Sequence, residues 1–454
     1  MEERQKVKRS KRELTEGSIA KNVWYLTLPM MVGILLQNTF NIVDMIFVGR
    51  LGPAAIAAVS MNGILLGVIW TLIMGISLGT VAMVARFIGA RRFEEADNVA
   101  MQSLFMGILG SIPITLVGFF LAGPILQLLG ARGEVLSLGI SYLRIVSLGS
   151  ITMFLPFITG STLRGAGDVY TPMKILGFAT ILNIILDPLF IFGFWGFPRW
   201  GVAGSALATV LSQGVGALIL LYILFRGRSV LHLSLKKARL NLEMMWRIAK
   251  IGVFGSLQMV IWNVSDLVLM RIVAIYGTFA VAAYGIGMRV IFVVMMPGFS
   301  LAQSAATLVG QNLGAKKPAR AERSVWIAAG LYEIIMVGST AILIIFARNI
   351  VSIFNLTPEI VRIGGNYIRF ISLTFFFMAL SIVLSRAMNG AGDTLFPMVI
   401  TGISLFILRI PLVLFLAKSW ATTGIWAGIA VSNVAQGLIT TFWFTRGRWK
   451  HKAI

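Results

Sequence analysis

Long apolar stretches separated by short polar segments fill almost the entire chain. Each stretch has about 20 residues or more, the length that an α-helix needs to cross the hydrocarbon core of a bilayer. The pattern therefore predicts an all-α polytopic membrane protein with twelve transmembrane helices. The predicted spans are 23–49, 54–88, 97–127, 136–162, 171–195, 201–226, 246–275, 279–311, 322–352, 361–387, 395–418 and 423–446.

The two halves of the chain repeat each other at a fixed offset of 225 residues. Each half holds six spans, an even number, so both halves are expected to cross the membrane in the same orientation. This predicts two six-helix bundles related by a pseudo-two-fold axis along the membrane normal, with substrate bound between them. Three motif pairs carry the repeat: LRGAGD at 163–168 with MNGAGD at 388–393, GARR at 89–92 with GAKK at 314–317, and GxxAxAA at 52–58 and 277–283.

The repeat divides the chain into two lobes and a polar connector. In the connector, the spacing of Leu231, Leu233, Leu235, Leu240 and Met244 predicts an amphipathic helix at the cytoplasmic surface, with a plain linker as the alternative. The predicted segments are a basic cytoplasmic N-terminus (1–22), an N-lobe (23–226), a cytoplasmic connector (227–245), a C-lobe (246–446) and a cytoplasmic C-terminus (447–454).

Composition agrees with a membrane protein, since 57% of the residues are hydrophobic and the mean hydropathy is +0.88. Lys and Arg outnumber Asp and Glu by 39 to 17, but they concentrate in alternate polar segments. That asymmetry follows the positive-inside rule and places both termini in the cytoplasm of a plasma-membrane protein. The basic charge therefore describes topology, and we expect no nucleic-acid partner and no cleaved signal sequence.

Several activities lack the residues that they need. The chain has no cysteine and only two histidines, His232 and His451, both in polar segments. A membrane-embedded enzyme would need a reactive His, Cys or metal cluster, and ATP-driven transport would need a Walker motif. We therefore expect neither an enzyme nor a cofactor.

Four acidic residues lie deep in apolar spans: Asp44, Asp187, Asp266 and Glu333. A carboxylate at the centre of a span costs about 3 kcal/mol on insertion scales, so such residues are functional candidates. A structural carboxylate with satisfied hydrogen bonds is the alternative for each of them.

In the first span, Gln37, Asn41 and Asp44 follow the i, i+4, i+7 spacing and share one helix face. In the fifth, Asn183 precedes Asp187 by one turn, and Pro188 follows.

Two carboxylates and an amide from different helices would suit a site for H⁺ or Na⁺. Close carboxylates repel each other, which favours binding of a proton by one of them, whereas Na⁺ would require several oxygen ligands. In the sixth span, Ser205 and Thr209 are one turn apart. They either complete such a site or are helix-packing contacts, and the sequence favours neither.

The paired LRGAGD and MNGAGD motifs, the Asn-x-x-x-Asp-Pro of span five and the acid of span one resemble the multidrug and toxic compound extrusion (MATE) family. The resemblance covers essentially the whole chain and is strongest to the DinF-related branch, including its archaeal members. It implies a cation site in the N-lobe and a hinge in the first helix. The implied positions are Asp44, Asn183, Asp187, Thr209 and Ser205 for the cation, Gln37, Asn41 and Tyr142 for the N-lobe cavity, and Pro29 for the hinge.

The chain departs from the family pattern before LRG, where Gly160-Ser161-Thr162 replaces a frequent Asn and puts an amide contact from span four in doubt. The C-lobe also differs from the N-lobe, because the repeat maps Asp44 onto Leu269 and Asp187 onto Leu412. In their place we hypothesise a buried structural pair of Asp266 and Arg409, which would cancel charge in that lobe.

These features predict a secondary active multidrug antiporter that works by alternating access. It would export small organic cations or amphipathic drugs in exchange for H⁺ or Na⁺, act as a monomer in the lipid bilayer and use no cofactor. Na⁺ would bind at Asp44, Asn183, Asp187 and Thr209. The alternative is a flippase for lipids or lipid-linked precursors in the same superfamily, although such proteins usually carry cationic residues in the cavity.

Overall fold

The protein is described by a computed structural model that covers residues 13–452, and this part of the chain is built from helices. The helices are α1 (Ile19–Gly49), α2 (Pro53–Gly89), α3 (Phe93–Phe120), α4 (Ala122–Leu128), α5 (Gly133–Leu148), α6 (Ser150–Gly165), α7 (Tyr170–Phe192), α8 (Val202–Phe225), α9 (Leu242–Ala274), α10 (Thr278–Gly314), α11 (Pro318–Phe354), α12 (Pro358–Ser372), α13 (Phe375–Gly390), α14 (Leu395–Gly402) and α15 (Ile410–Thr445). A π-helical segment, Ile403–Arg409, joins α14 to α15.

Within residues 13–452, nine helical segments are long and apolar enough to cross a membrane individually. Two further spans are bent pairs: α5 meets α6 at 49°, and α12 meets α13 at 55°. The 51-residue segment Leu395–Thr445 is interrupted at Ala421, where φ is 49°, between the predicted eleventh and twelfth spans. Counting the bent pairs as single spans and dividing this segment confirms the twelve predicted spans.

The backbone repeats in the two halves as the sequence does. A positive φ is uncommon in residues other than glycine, yet Arg91 and Lys316, which are 225 residues apart, have φ of 59° and 57°. Gly167 and Gly392 have φ of 86° and 84°. The repeated motifs therefore encode matching chain reversals, which confirms the internal repeat.

The LRGAGD motif forms one of these reversals. Gly167 takes the left-handed conformation after α6, and Asp168 lies just before α7. The Asp168 carboxylate accepts hydrogen bonds from the backbone N–H of Thr171 at 3.2 Å and from its hydroxyl at 2.8 Å. The motif thus holds the start of α7, the helix that carries Asp187.

The structure divides into two compact units, and the chain passes from one to the other inside α1 and again inside α9. The first unit contains Leu28–Gly252. The second contains Leu14–Thr27 and continues from Val253. The predicted connector and the beginning of α9 thus belong to the first unit.

Residues 14–27 are anchored within the second unit by hydrogen bonds. Thr27 and Ser304 share one between their hydroxyl oxygens, which are 2.9 Å apart. Arg320 donates to the backbone carbonyls of Glu16 and Gly17 at 2.7 and 2.8 Å. The beginning of α1 is therefore an integral part of this unit.

The prediction of an amphipathic helix in the connector is wrong. The only helical turn between α8 and α9 is a 3-10 turn at Leu235–Lys237. Leu231 is buried, whereas Leu240 is exposed. The Gln102 side chain donates to the carbonyl of Arg239 at 2.8 Å and accepts from the N–H of Asn241 at 3.0 Å. Because these bonds satisfy connector backbone groups in place of helical bonds, the segment is held against α3 without forming a helix.

Candidate cation-binding site

Asp44 and Ser205 meet across two helices of the first unit. Asp44 lies on α1 and Ser205 near the start of α8, and both side chains are buried. The Ser205 hydroxyl donates a hydrogen bond to Oδ1 of Asp44 at 2.5 Å. From the sequence, Ser205 was either part of a cation site or a packing residue, and the structure shows a side-chain contact with the acid.

The position of Ser205 depends on close packing between α7 and α8 at the preceding glycine. A Cβ atom added to Gly204 would lie 2.3 Å from the carbonyl oxygen of Phe190. Since that oxygen belongs to the backbone, a side chain at position 204 would push the two helices apart.

We therefore expect Gly204→Ala to destabilise the protein by about 1–3 kcal/mol, as overpacking of a filled core does. Thermal unfolding of the purified protein in detergent, followed by tryptophan fluorescence, measures this change. Gly67→Ala is the matched control, because a Cβ at Gly67 on α2 would meet no atom within 4 Å. Equal unfolding temperatures for the two variants would contradict the packing argument.

Asp187 and Asn183 form the second part of the site, on α7. Both residues are fully buried, and the Asn183 amide nitrogen donates to Oδ1 of Asp187 at 3.3 Å. Oδ2 of Asp187 and Oδ1 of Asn183 are also buried, and neither has a hydrogen-bond partner among residues 13–452. Two buried acceptor oxygens without donors are suitable ligands for a proton or a small hard cation.

The two carboxylates interact electrostatically with each other and with Tyr142. Tyr142 lies on α5 and is 5% exposed. In the described part of the chain, neither Asp44 nor Asp187 forms an ion pair with Lys, Arg or His within 4.0 Å. Two buried acids without a basic partner are costly when both are ionised, so binding of a monovalent cation would relieve their repulsion.

The remaining predicted residues differ in exposure and in position along their helices. Thr209 is nearly buried, and its backbone carbonyl accepts a hydrogen bond from Ser212 at 3.0 Å. Asn41 is exposed, although it shares a helix face with Asp44. Pro29 lies inside α1, two residues after Thr27, where the chain leaves the second unit.

Gln37 lines a small cavity of about 70 Å³ together with Arg164 and Gln213. Neither Arg164 nor Gln213 was among the cavity residues predicted from the sequence. Gln213 is two helical turns after Ser205, a spacing that could have revealed it. Arg164 donates a hydrogen bond to the hydroxyl of Ser161 at 2.6 Å.

The charges of Asp266 and Arg409 interact electrostatically, but the two side chains are not in direct contact. Among residues 13–452, no ion pair of 4.0 Å or less joins them. Arg409 instead donates to Oγ of Ser432 at 2.9 Å and to Oδ1 of Asn433 at 2.7 Å. Arg409 ends the π-helical segment Ile403–Arg409, whose wider turn changes the direction of its side chain relative to an α-helical register. The two charged side chains still line one cavity of the second unit.

Glu333 on α11 is the fourth acid that the sequence placed in a span. Both of its carboxylate oxygens are buried, and neither has a hydrogen-bond partner in the described part of the chain.

Two six-span halves that repeat each other, with unpaired acids buried in the spans, define a polytopic membrane transporter. The MatE family model matches residues 29–189 and 256–415, one stretch in each half. The chain therefore belongs to the MATE family, whose members are transporters and not enzymes. The family prediction is confirmed, and the assignment to the DinF-related branch stays a prediction.

Two relatives and a solved structure each match this chain over nearly its whole length. The chain is 30% identical to the probable multidrug resistance protein NorM of Thermotoga maritima over 450 residues, 96% of this chain and 94% of that protein. It is 27% identical to the FAD transporter of Shewanella oneidensis over 432 residues, 94% of each chain. A crystal structure of a MATE protein in the bent conformation superimposes with a TM-score of 0.89 at 25% identity, covering 95% of this chain and 96% of that chain.

Proposed function

We propose that this protein is a secondary active multidrug antiporter. It exports cationic or amphipathic organic compounds in exchange for H⁺ or Na⁺ by alternating access. The observation that carries the proposal is the pair of buried acids in the first unit, Asp44 and Asp187, neither of which has a basic partner within 4.0 Å among residues 13–452. The Thermotoga maritima relative is named a probable multidrug resistance protein, which supports an organic substrate.

The coupling ion would bind at the oxygens of Asp44, Asn183, Asp187 and Thr209, with Ser205 holding Asp44 in place. Asp187 and Asn183 each present a buried acceptor oxygen without a donor, which supports this assignment. Binding of H⁺ or Na⁺ would remove one negative charge from the pair and thereby favour one conformational state over the other. Gln37, Asn41 and Tyr142 would line the substrate cavity of the same lobe.

The structural change would be a bend of α1 at Pro29. Proline has no backbone N–H, so the helix lacks one internal hydrogen bond there. The boundary between the two units falls between Thr27 and Leu28, next to this residue. A helix that belongs to one unit before its proline and to the other after it is suited to such a hinge.

We further propose that the protein acts as a monomer in the plasma membrane with both termini in the cytoplasm. The alternation of basic segments along the chain supports this orientation.

Separate ion gradients test the antiport function and identify the ion. The purified protein is reconstituted in liposomes loaded with a cationic fluorescent dye, and either a pH gradient or a Na⁺ gradient is imposed. We expect dye transport to follow at least one gradient and to stop when an ionophore dissipates that gradient. The free energy of transport comes from the gradient, so equal dye movement with and without it would contradict antiport.

A further inference from the structure

The second unit contains a cavity of about 460 Å³ that lies entirely among its own helices. This volume falls within the roughly 300–1,000 Å³ of small-molecule sites. Its wall combines apolar and aromatic side chains with ten polar or charged ones, and binding pockets for organic ligands likewise place polar groups within an apolar wall.

Arg409 contributes positive charge to the cavity lining, and its side chain is 4% exposed. Its two hydrogen bonds to Ser432 and Asn433 reach uncharged oxygens, and they use Nε and one Nη2 proton of its five N–H groups. Its charge therefore remains uncompensated by those partners. Arg386 also lines the cavity, so positive charge exceeds negative charge there.

The negative group is Asp266 on α9, one helical turn after Trp262 and on the same face of the helix. Both side chains line the cavity. In residues 13–452, Asp266 forms no ion pair within 4.0 Å. The cavity thus presents a carboxylate and a guanidinium that are kept apart, although they attract each other.

The aromatic part of the wall is held in a fixed arrangement. The rings of Tyr284 and Tyr367 meet edge to face with centroids 5.3 Å apart, and both pack against the buried Trp426 at 5.7 and 4.8 Å. Because these rings support one another, a ligand would not have to order them on binding, which lowers the entropic cost.

An unsatisfied amide oxygen points to a ligand with a hydrogen-bond donor. Asn389 is 2% exposed and lines the cavity, and its Oδ1 accepts no hydrogen bond within residues 13–452. The neighbouring Gln258 amide nitrogen donates to the hydroxyl of Thr401 at 3.0 Å. A ligand with an N–H group at this end of the cavity would satisfy the Asn389 oxygen.

We propose that this cavity is a second binding site, which takes a zwitterionic organic solute with an aromatic body. Arg409 binds its anionic group, and Asp266 lies against its cationic group. A purely cationic ligand would bring no group of opposite charge to the arginines, and a purely anionic ligand would bring none to Asp266. The inference that bound solute is transported rests on the proposed function, whereas binding itself does not.

The test compares two dyes that differ in one charge. Tetramethylrhodamine is a zwitterion with a free carboxylate, and its methyl ester is a cation. Fluorescence anisotropy measures the binding of each dye to the full-length protein in detergent. We expect wild type to bind the zwitterion about tenfold more tightly than the ester, the difference that one hydrogen-bonded charged group supplies. Arg409→Gln removes this preference, and Asp266→Asn weakens the binding of both dyes.

Arg271→Gln is the matched control, because it removes an exposed arginine of α9 that lies outside the cavity lining. It keeps the tenfold preference. Because Arg409 is buried, the conservative variant Arg409→Lys is measured as well. It is expected to retain the zwitterion preference because the positive charge stays. Thermal unfolding checks that each variant is folded.

Three results would overturn the proposal: equal binding of both dyes by wild type, an unchanged preference in Arg409→Gln, or tighter tetramethylrhodamine binding by Asp266→Asn, which would indicate an anion site. The two proposals fail separately. Loss of gradient dependence in liposomes with retained dye preference would reject antiport alone. Retained gradient dependence in liposomes with loss of the dye preference would reject the second site alone.

Discussion

Replacing Asp44 with Asn is expected to reduce gradient-driven dye transport to the level of protein-free liposomes. The side chain keeps its size, so Ser205 can still donate a hydrogen bond to its oxygen. What the variant loses is the ionisable group, and with it the change of charge that the coupling ion would cause beside Asp187. A transporter that cannot respond to the ion has no means of using its gradient.

The comparison requires equal amounts of inserted, folded protein. Glu134→Gln is the matched control, since Glu134 is an exposed acid at the start of α5 in the same unit. It should transport as wild type does. Undiminished gradient-driven transport by Asp44→Asn would refute the role assigned to this carboxylate.

Replacing Pro29 with Ala is expected to lower the transport rate about a hundredfold while leaving membrane insertion intact. Alanine supplies the backbone N–H that proline lacks and favours a continuous helix over a kinked one by about 3 kcal/mol. The straight form of α1 would then dominate, and the transport cycle would have to overcome that difference each time the helix bends.

The control for this variant is a proline that lies inside a helix but away from the boundary between the units. Pro113 is exposed within α3 of the first unit, so Pro113→Ala changes a helix proline without touching α1. Initial rates of dye transport at matched protein density measure both variants. If Pro29→Ala and Pro113→Ala behave alike, the hinge does not lie at Pro29.

The span pattern was predictable because span length and apolarity are local properties of the sequence. The same holds for the repeat, since matching motifs produce matching backbone turns at Arg91 and Lys316. The helix breaks were not predictable in this way. The tenth span bends by 55° between Ser372 and Phe375, where the intervening residues Leu373 and Thr374 are neither Gly nor Pro.

The connector and the C-lobe pair show where local patterns were insufficient. The leucine spacing of the connector suits a helix, but Gln102 on α3 binds its backbone instead. Arg409 was assigned to Asp266 by the repeat, yet the π-helical turn directs it to Ser432 and Asn433. In both cases a partner that is distant in the sequence decided the outcome.

The sequence by itself determined the class of protein, its twelve spans, its two related halves and the acids that stand out within them. These follow from the cost of placing polar groups in hydrocarbon, which is paid residue by residue. Only the tertiary structure decided which side-chain oxygen atoms of different helices lie in contact. Ser205 reaches Asp44 across 161 residues, and α1 changes from one unit to the other beside Pro29. Such contacts depend on how helices pack, and packing is a property of several segments together.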